Sequence, residues 1–275
     1  MSVARKNFYC AAGEHTLEIC FVNREAAFSL FSASAALTGS LAADASPAAA
    51  FCVSGGGEYY AVSDDGAVRI FDATLGELKS FSVKADRIAL SDAGAPVLFY
   101  VSDGKILCRS VFGQTQAATL ALNAADFAYM RISASAGAMY FIRDKKLFRT
   151  IINFSNGEAT ASQETAVDAS FSDKATRVRV PTDENGDSVL VVQGQSGLYV
   201  NGARLRLSGL TDAVFEDGVL KLLLEENGLA SVAYVDGASL RLTEKQKVCF
   251  CDAACFAGGS SLFVVRDKAV GTENF

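Results

Sequence analysis

An apolar run, a tight polar turn and a second apolar run recur about every 40 residues along this chain, and such a period restricts it to arrays of stacked supersecondary units. The clear copies are Tyr59–Phe71 around Asp65-Gly66, Val97–Cys108 around Asp103-Gly104 and Met139–Phe148 around Asp144-Lys145. Val189–Val200 around Ser196-Gly197, Leu220–Tyr234 around Asn227-Gly228 and Leu262–Val270 around Asp267-Lys268 follow, and Leu17–Phe31 around Asn23-Arg24 reads as a degenerate seventh. Asp-Gly or Asn-Gly between apolar runs is the strongest short-range hairpin signal, because the favoured two-residue turn needs φ > 0. Helical spacing is not sustained for three turns anywhere. The Ala-rich stretch Ala26–Ala50 is where a helix competes, and its Ser, Gly and Pro favour loop or short strand.

One hairpin is marginal in water, so each unit needs further strands and a neighbour. About forty residues suit four short strands, the size of a propeller blade. The expectation is an all-β, seven-bladed β-propeller formed by residues 1–275 as one domain, with an open solenoid as the alternative. The long step from 144 to 196 holds an insertion around Pro181–Asp187, and the short step to 227 marks a trimmed unit. The last copy has little chain after it. Asn7–Cys10 is therefore expected to add a strand there, closing the ring and hiding an edge.

Half of the 275 residues are apolar, enough for a large core. None of the runs reaches the ~18 residues of a membrane helix, and the N-terminus lacks a signal-peptide apolar region, so no membrane insertion is expected. Seven cysteines, an odd number lying mostly in predicted strands, suit free thiols in the cytosol or nucleus. A formal charge of −6 argues against nucleic acid as the main partner.

Gly55-Gly56-Gly57-Glu58-Tyr59-Tyr60-Ala61-Val62-Ser63-Asp64-Asp65-Gly66-Ala67-Val68-Arg69-Ile70-Phe71 resembles the repeat of the regulator-of-chromosome-condensation family. Gly13-Glu14-His15-Thr16-Leu17 looks like the Gly-x-His-Thr-Leu part of its signature, and Gly258–Asp267 like a faded copy. The resemblance implies a seven-bladed propeller that binds proteins, small GTPases among them. The chain departs from that pattern in having no Trp and a single His. Its unit length is nearer that of WD repeats, but Gly-His and Trp-Asp pairs are missing.

Candidates for chemistry are few. His15 would have to serve any Ser-His-Asp or Cys-His site, and Gly194-Gln195-Ser196-Gly197 falls one residue short of a nucleophile elbow. Cys249 and Cys251 share one side of a strand near Cys255, but zinc wants four ligands and paired spacers. Asp183-Glu184-Asn185-Gly186-Asp187 offers alternate oxygens without the Gly and Glu a calcium loop needs at its sixth and twelfth positions. Gly55-Gly56-Gly57 lacks the Gly-Lys-Ser/Thr of a phosphate loop. No cofactor, metal or catalytic residue is expected.

Arg69, Lys105, Arg109, Lys145, Lys146 and Arg149 recur just after turns, so they would line one face of a ring as a partner-binding basic arc, or serve as solvated strand positions. The leading reading is a non-catalytic interaction module in a larger assembly. The alternatives are an exchange factor or regulator of a small GTPase, and an enzyme with its site in the central channel. The channel reading predicts carboxylates or Arg on the innermost strands, drawn from Ala50–Ser54, Arg87–Leu90, Phe127–Ile132 and Ala213–Phe215, which are mostly apolar.

Overall fold

The computed structural model describes residues 5–12, 15–22, 25–32, 37–44, 50–53, 59–64, 66–72, 76–85, 87–91, 96–113, 116–155, 158–167, 174–182, 187–251, 253–256, 261–266 and 269–275. Before Tyr59, and at some later strand positions, this is the backbone alone.

Among the described residues the secondary structure is entirely strand, in seven antiparallel sheets that follow one another along the chain. The first holds β1 (Arg5–Ala12), β2 (His15–Val22), β3 (Glu25–Ser32) and β4 (Leu37–Asp44). The second holds β5 (Ala50–Val53), β6 (Tyr59–Asp64), β7 (Ala67–Asp72) and β8 (Glu77–Phe81). The third has β9 (Arg87–Ser91), β10 (Val97–Ser102), β11 (Lys105–Ser110) and β12 (Ala118–Leu122). The fourth has β13 (Ala124–Ser133), β14 (Ala136–Arg143), β15 (Lys146–Ser155) and β16 (Glu158–Ala161), with β17 (Thr165–Ala166) also pairing β15. The fifth is built from β18 (Arg177–Arg179), β19 (Val191–Gln193), β20 (Leu198–Val200) and β21 (Ala203–Leu205). The sixth comprises β22 (Leu210–Glu216), β23 (Val219–Glu226), β24 (Leu229–Asp236) and β25 (Arg241–Phe250). The seventh comprises β26 (Ala253–Phe256), β27 (Ser261–Arg266) and β28 (Ala269–Asn274).

Every turn read from the sequence falls between the second and third strands of a sheet, from β2–β3 to β27–β28. Asp103 and Gly104 (φ 50° and 69°), Asp144 and Lys145 (50° and 63°) and Asn227 and Gly228 (55° and 77°) are left-handed at both central positions, as the strand twist demands. The described residues of the Ala-rich stretch lie in β3, β4 and the start of β5. The trimmed unit is the fifth sheet, whose strands have three residues each.

The core lies between successive sheets. Ala61, Val68 and Ile70 pack against Ile88, Leu98 and Tyr100. Phe99, Ile106 and Cys108, from the opposite face of the third sheet, pack against Phe127, Met139 and Phe141. Leu222 and Leu224 join Val191 and Leu198, whereas Leu223 between them turns to Phe256 and Leu262. Side chains alternate across a strand, so a sheet sandwiched between two others needs apolar residues at every position. Val97–Val101 is buried throughout for that reason.

The first strands of the sheets also meet: β5 lies against β9, β9 against β13, β13 against β18 and β22 against β26, while β1 lies against both β5 and β26. The expected role of Asn7–Cys10 is corrected here. These residues pair within β1–β2, Asn7 with Cys20 and Cys10 with Leu17, and the last sheet contains no N-terminal strand among the described residues. A hairpin closed over two residues costs far less chain entropy than a pairing that spans the whole polypeptide.

Candidate functional site

Turns and first strands are held together by one repeated backbone bond. Ala124 N donates to Gly104 O (2.9 Å), Ala175 N to Lys145 O (3.0 Å) and Cys251 N to Gly228 O (2.8 Å). In each case the second turn residue offers a carbonyl that its own hairpin does not use, and the chain entering the next sheet takes it. The turn of one sheet and the start of the next therefore share the same rim of the molecule.

At that rim the first strands carry charge. β13 has a bulge between Ala124 and Asp126, which turns the Asp126 carboxylate out of its ladder. One of its oxygens pairs with Arg87 Nε on β9 at 2.5 Å. The other lies 3.6 Å from Arg179 Nη1 and accepts Val178 N–H at 3.1 Å, both on β18. Asp126 thus bridges the third, fourth and fifth sheets. β22 repeats the device: a bulge between Leu210 and Asp212 frees a carboxylate that accepts Ala213 N–H at 2.9 Å and Phe256 N–H on β26 at 3.2 Å. Between these, Arg177 Nη1 donates to Leu210 O (2.7 Å) and Leu210 N–H donates to Gln193 Oε1 (3.2 Å). First strands are sheet edges with unpaired backbone groups, and these side chains stand in for the missing neighbour.

The cluster shares one electrostatic environment. Burial lowers the Arg179 pKa, the Arg87 and Arg177 charges push the same way, and Asp126 and Asp212 oppose them. Burial raises the Asp212 carboxyl above its ordinary value, against the Ala213 and Phe256 amides and the Arg179 charge.

The basic residues singled out from the sequence fall into two settings. Lys105, Lys145 and Lys146 stand exposed at the turns, Lys105 opposite Ser102 and Lys146 opposite Arg143 in the first pairs after them. The arginines lie further along the strands, over aromatic faces. Arg69 bonds Glu77 at 2.6 Å and sits 5.1 Å from the Phe71 ring centre. Arg109 lies 4.5 Å above Phe81 and Arg149 5.7 Å from Tyr140, each with a buried Nε that has no acceptor among the described residues. Cation–π contact and packing of the side-chain stem account for their positions.

Cys249 is half-buried, and Cys108 and Cys251 are buried; all three are free thiols. Among the described residues no three His, Cys, Asp or Glu side chains gather as metal ligands. Ser196 lies in the β19–β20 turn, its carbonyl accepting Arg204 Nη2 at 2.9 Å. The His15 and Cys255 side chains, Gly55-Gly56-Gly57, Gly258-Gly259 and residues 183–186 lie outside the described residues.

The residues that sequence reasoning missed are Arg87, Asp126, Arg177, Arg179 and Asp212 as a group. The innermost segments expected at Phe127–Ile132 and Ala213–Phe215 begin one residue after the two aspartates. A signal existed: Asp86, Asp126, Asp212 and Asp252 each stand just before or at the head of a first strand's apolar run in the sequence.

No protein family profile and no curated protein sequence matches the chain. Solved structures do. A chain of the Kuenenia stuttgartiensis hydrazine synthase is 12% identical with a TM-score of 0.63, over 96% of this chain and 93% of that one. A chain of the yeast heterotrimeric Nup82-Nup159-Nup116 nucleoporin complex is 7% identical with a TM-score of 0.62, over 98% and 97%. The WD40 domain of Toxoplasma gondii coronin is 11% identical with a TM-score of 0.62, over 96% and 79%. At such identities the likeness concerns the fold. Successive four-stranded antiparallel sheets, packed face to face with their first strands meeting, are the architecture of a β-propeller.

Proposed function

We propose that this propeller is a non-catalytic protein-interaction module, residues 1–275 forming one closed ring of seven blades that serves as a subunit of a larger assembly. The observation that carries the reading is the repeated bond from a turn carbonyl to the next sheet's entry amide, as at Gly104–Ala124, Lys145–Ala175 and Gly228–Cys251. It ties each of these turns through the backbone to the entry of the next sheet on one rim, a rigid surface suited to a protein partner. Similarity over nearly the whole of a chain from a nucleoporin complex, and to a WD40 domain, agrees with this. The resemblance of residues 55–71 to the regulator-of-chromosome-condensation repeat makes a small GTPase one such partner, and the cytosol or nucleus is the compartment proposed.

Purification of the tagged chain from its source cells at physiological salt is expected to return a protein partner in stoichiometric amount. A monomer in fresh extract would sink the reading. Unchanged nucleotide release across a panel of small GTPases would remove the GTPase form of it and leave the rest.

A second reading, an enzyme with its site among the first strands, is favoured by the Arg87–Asp126–Arg179 ion pairs and Asp212, the kind of residues that reading requires there. The likeness to a chain of a hydrazine synthase belongs on this side. Under this reading Asp212→Asn would abolish a turnover that the lysine variants described below leave intact.

A further inference from the structure

We propose that the rim where the first strands begin docks an acidic segment of a protein partner, whose carboxylates are received by the exposed guanidinium groups of Arg87 and Arg177 and by the turn lysines. This deepens the interaction-module reading and rests on it.

The argument is one of charge left over. Arg87, Arg177 and Arg179 act on one another through a single neighbourhood that holds two carboxylates. The oxygens of Asp126 are committed to Arg87 Nε, Arg179 Nη1 and the Val178 amide. Those of Asp212 are committed to the Ala213 and Phe256 amides. Arg87 pairs with Asp126 through Nε, and the Arg87 side chain is 39% exposed, so part of it is open to solvent. Arg177 spends Nη1 on Leu210 O. An arginine held by one nitrogen keeps the planar fork that takes a carboxylate in two bonds.

The surroundings add charge of the same sign. Gly104 O and Lys145 O bind the entries to β13 and β18, so Lys105, Lys145 and Lys146 stand beside the cluster. All three are exposed, and none has an ion-pair partner among the described residues. Asp103 and Asp144 sit in the same turns. Among the described side chains these six cations stand against Asp103, Asp144, Asp126 and Asp212, and with Asp86 next to Arg87 in the sequence the balance stays positive, on a chain whose total is −6.

The interspersed aspartates also select the occupant. A polynucleotide lays down an unbroken phosphate track and needs an unbroken basic footprint. A flexible acidic peptide seats its carboxylates one at a time and avoids the negative points.

The test uses the full chain and fluorescein-labelled octaglutamate, read by anisotropy at about 50 and about 200 mM salt, with octaglutamine and an eight-nucleotide oligothymidine as comparison probes. Octaglutamate is expected to bind, to weaken with salt, and to exceed both other probes. Arg87→Gln, and separately Lys105→Gln/Lys145→Gln/Lys146→Gln, should each weaken it by about fivefold or more, while Lys79→Gln/Lys247→Gln on outer strands leaves it unchanged. The triple lysine variant alters only exposed side chains, so it keeps the test open should Arg87→Gln impair folding. Absence of octaglutamate binding, equal binding by the triple variant, or tighter binding of the oligothymidine overturns the proposal. A cellular partner recovered equally by wild type and triple variant would overturn this face while leaving the module reading standing. Octaglutamate binding as expected, with no partner recovered, would do the reverse.

Discussion

Replacing Asp126 by Ala tests whether side chains hold neighbouring sheets together. β18 has three residues and, among the described strands, pairs with β19 alone, so the Val178 amide depends on the Asp126 carboxylate. Leaving a buried N–H without an acceptor costs about 1–3 kcal/mol. Breaking a buried ion pair costs about 3–5 kcal/mol. Here Arg87 and Arg179 are 39% and 24% exposed, so water recovers part of their solvation and the ionic share falls to about 1 kcal/mol. The sum is about 3 kcal/mol, which for a chain of this size lowers Tm by about 6–12 °C. Asp126→Asn keeps an oxygen for Val178 and loses the charge, so it should cost about 1 kcal/mol. Urea unfolding gives the energies, and amide hydrogen exchange locates them: Val178 loses protection in Asp126→Ala and retains it in Asp126→Asn. If Asp126→Ala stays within about 0.5 kcal/mol of wild type, the usual scatter of surface substitutions, the bridge between sheets is energetically idle and the reasoning fails.

Asp212 makes a prediction in pH. Its folded carboxyl titrates above the unfolded value of 3.8, so the folded state holds the extra proton in that interval and stability falls as pH rises through it. Asp212→Asn should remove that component, so its urea midpoint relative to wild type climbs from pH 4 upward until the folded group has ionised; a constant difference would refute this. Two glycines separate backbone strain from space. Gly209 and Gly218 have φ of 77° and 73°, but a Cβ at Gly209 would strike the Glu225 backbone while one at Gly218 meets nothing within 4 Å. Gly218→Ala should cost about 1 kcal/mol and Gly209→Ala clearly more, and equal costs in thermal melts would contradict the packing described. Burial pushes the Cys108 thiol up to about 11, so mass-mapped alkylation of the native protein at pH 8 should modify half-buried Cys249 well before Cys108. Modification in the opposite order would show that the third-to-fourth sheet interface is open.

The middle hairpins were legible because a type I′ turn needs left-handed residues, and Asp-Gly and Asn-Gly announce them. The same signal at Asn201-Gly202 and Asp217-Gly218 marks the β20–β21 and β22–β23 turns, also left-handed at both positions, which the repeat reading passed over. Outer strands were harder. Arg241–Phe250 is largely exposed and carries Thr, Glu, Lys and Gln, so it shows little apolar pattern, and it is a strand because β24 supplies a backbone ladder. The basic arc was half legible: spacing from the turn located the lysines, but whether Arg109 and Arg149 meet solvent or a ring depends on Phe81, 28 residues before Arg109 in sequence, and on Tyr140 across the hairpin.

By itself the order of residues determined the strands, the turns between them and the need to stack, since an apolar run on both faces of a hairpin has nowhere to go except between neighbours. Only the tertiary structure decided what the charged residues do. Arg87, Asp126, Arg179 and Asp212 lie up to 125 positions apart in sequence (212 − 87) and share no local pattern. They act together because bulges in β13 and β22 turn two carboxylates toward strands that enter from other sheets. Hydrophobic periodicity is a local property of the chain, whereas electrostatic partnership is set by distance in space, and that distance exists only once the sheets have packed.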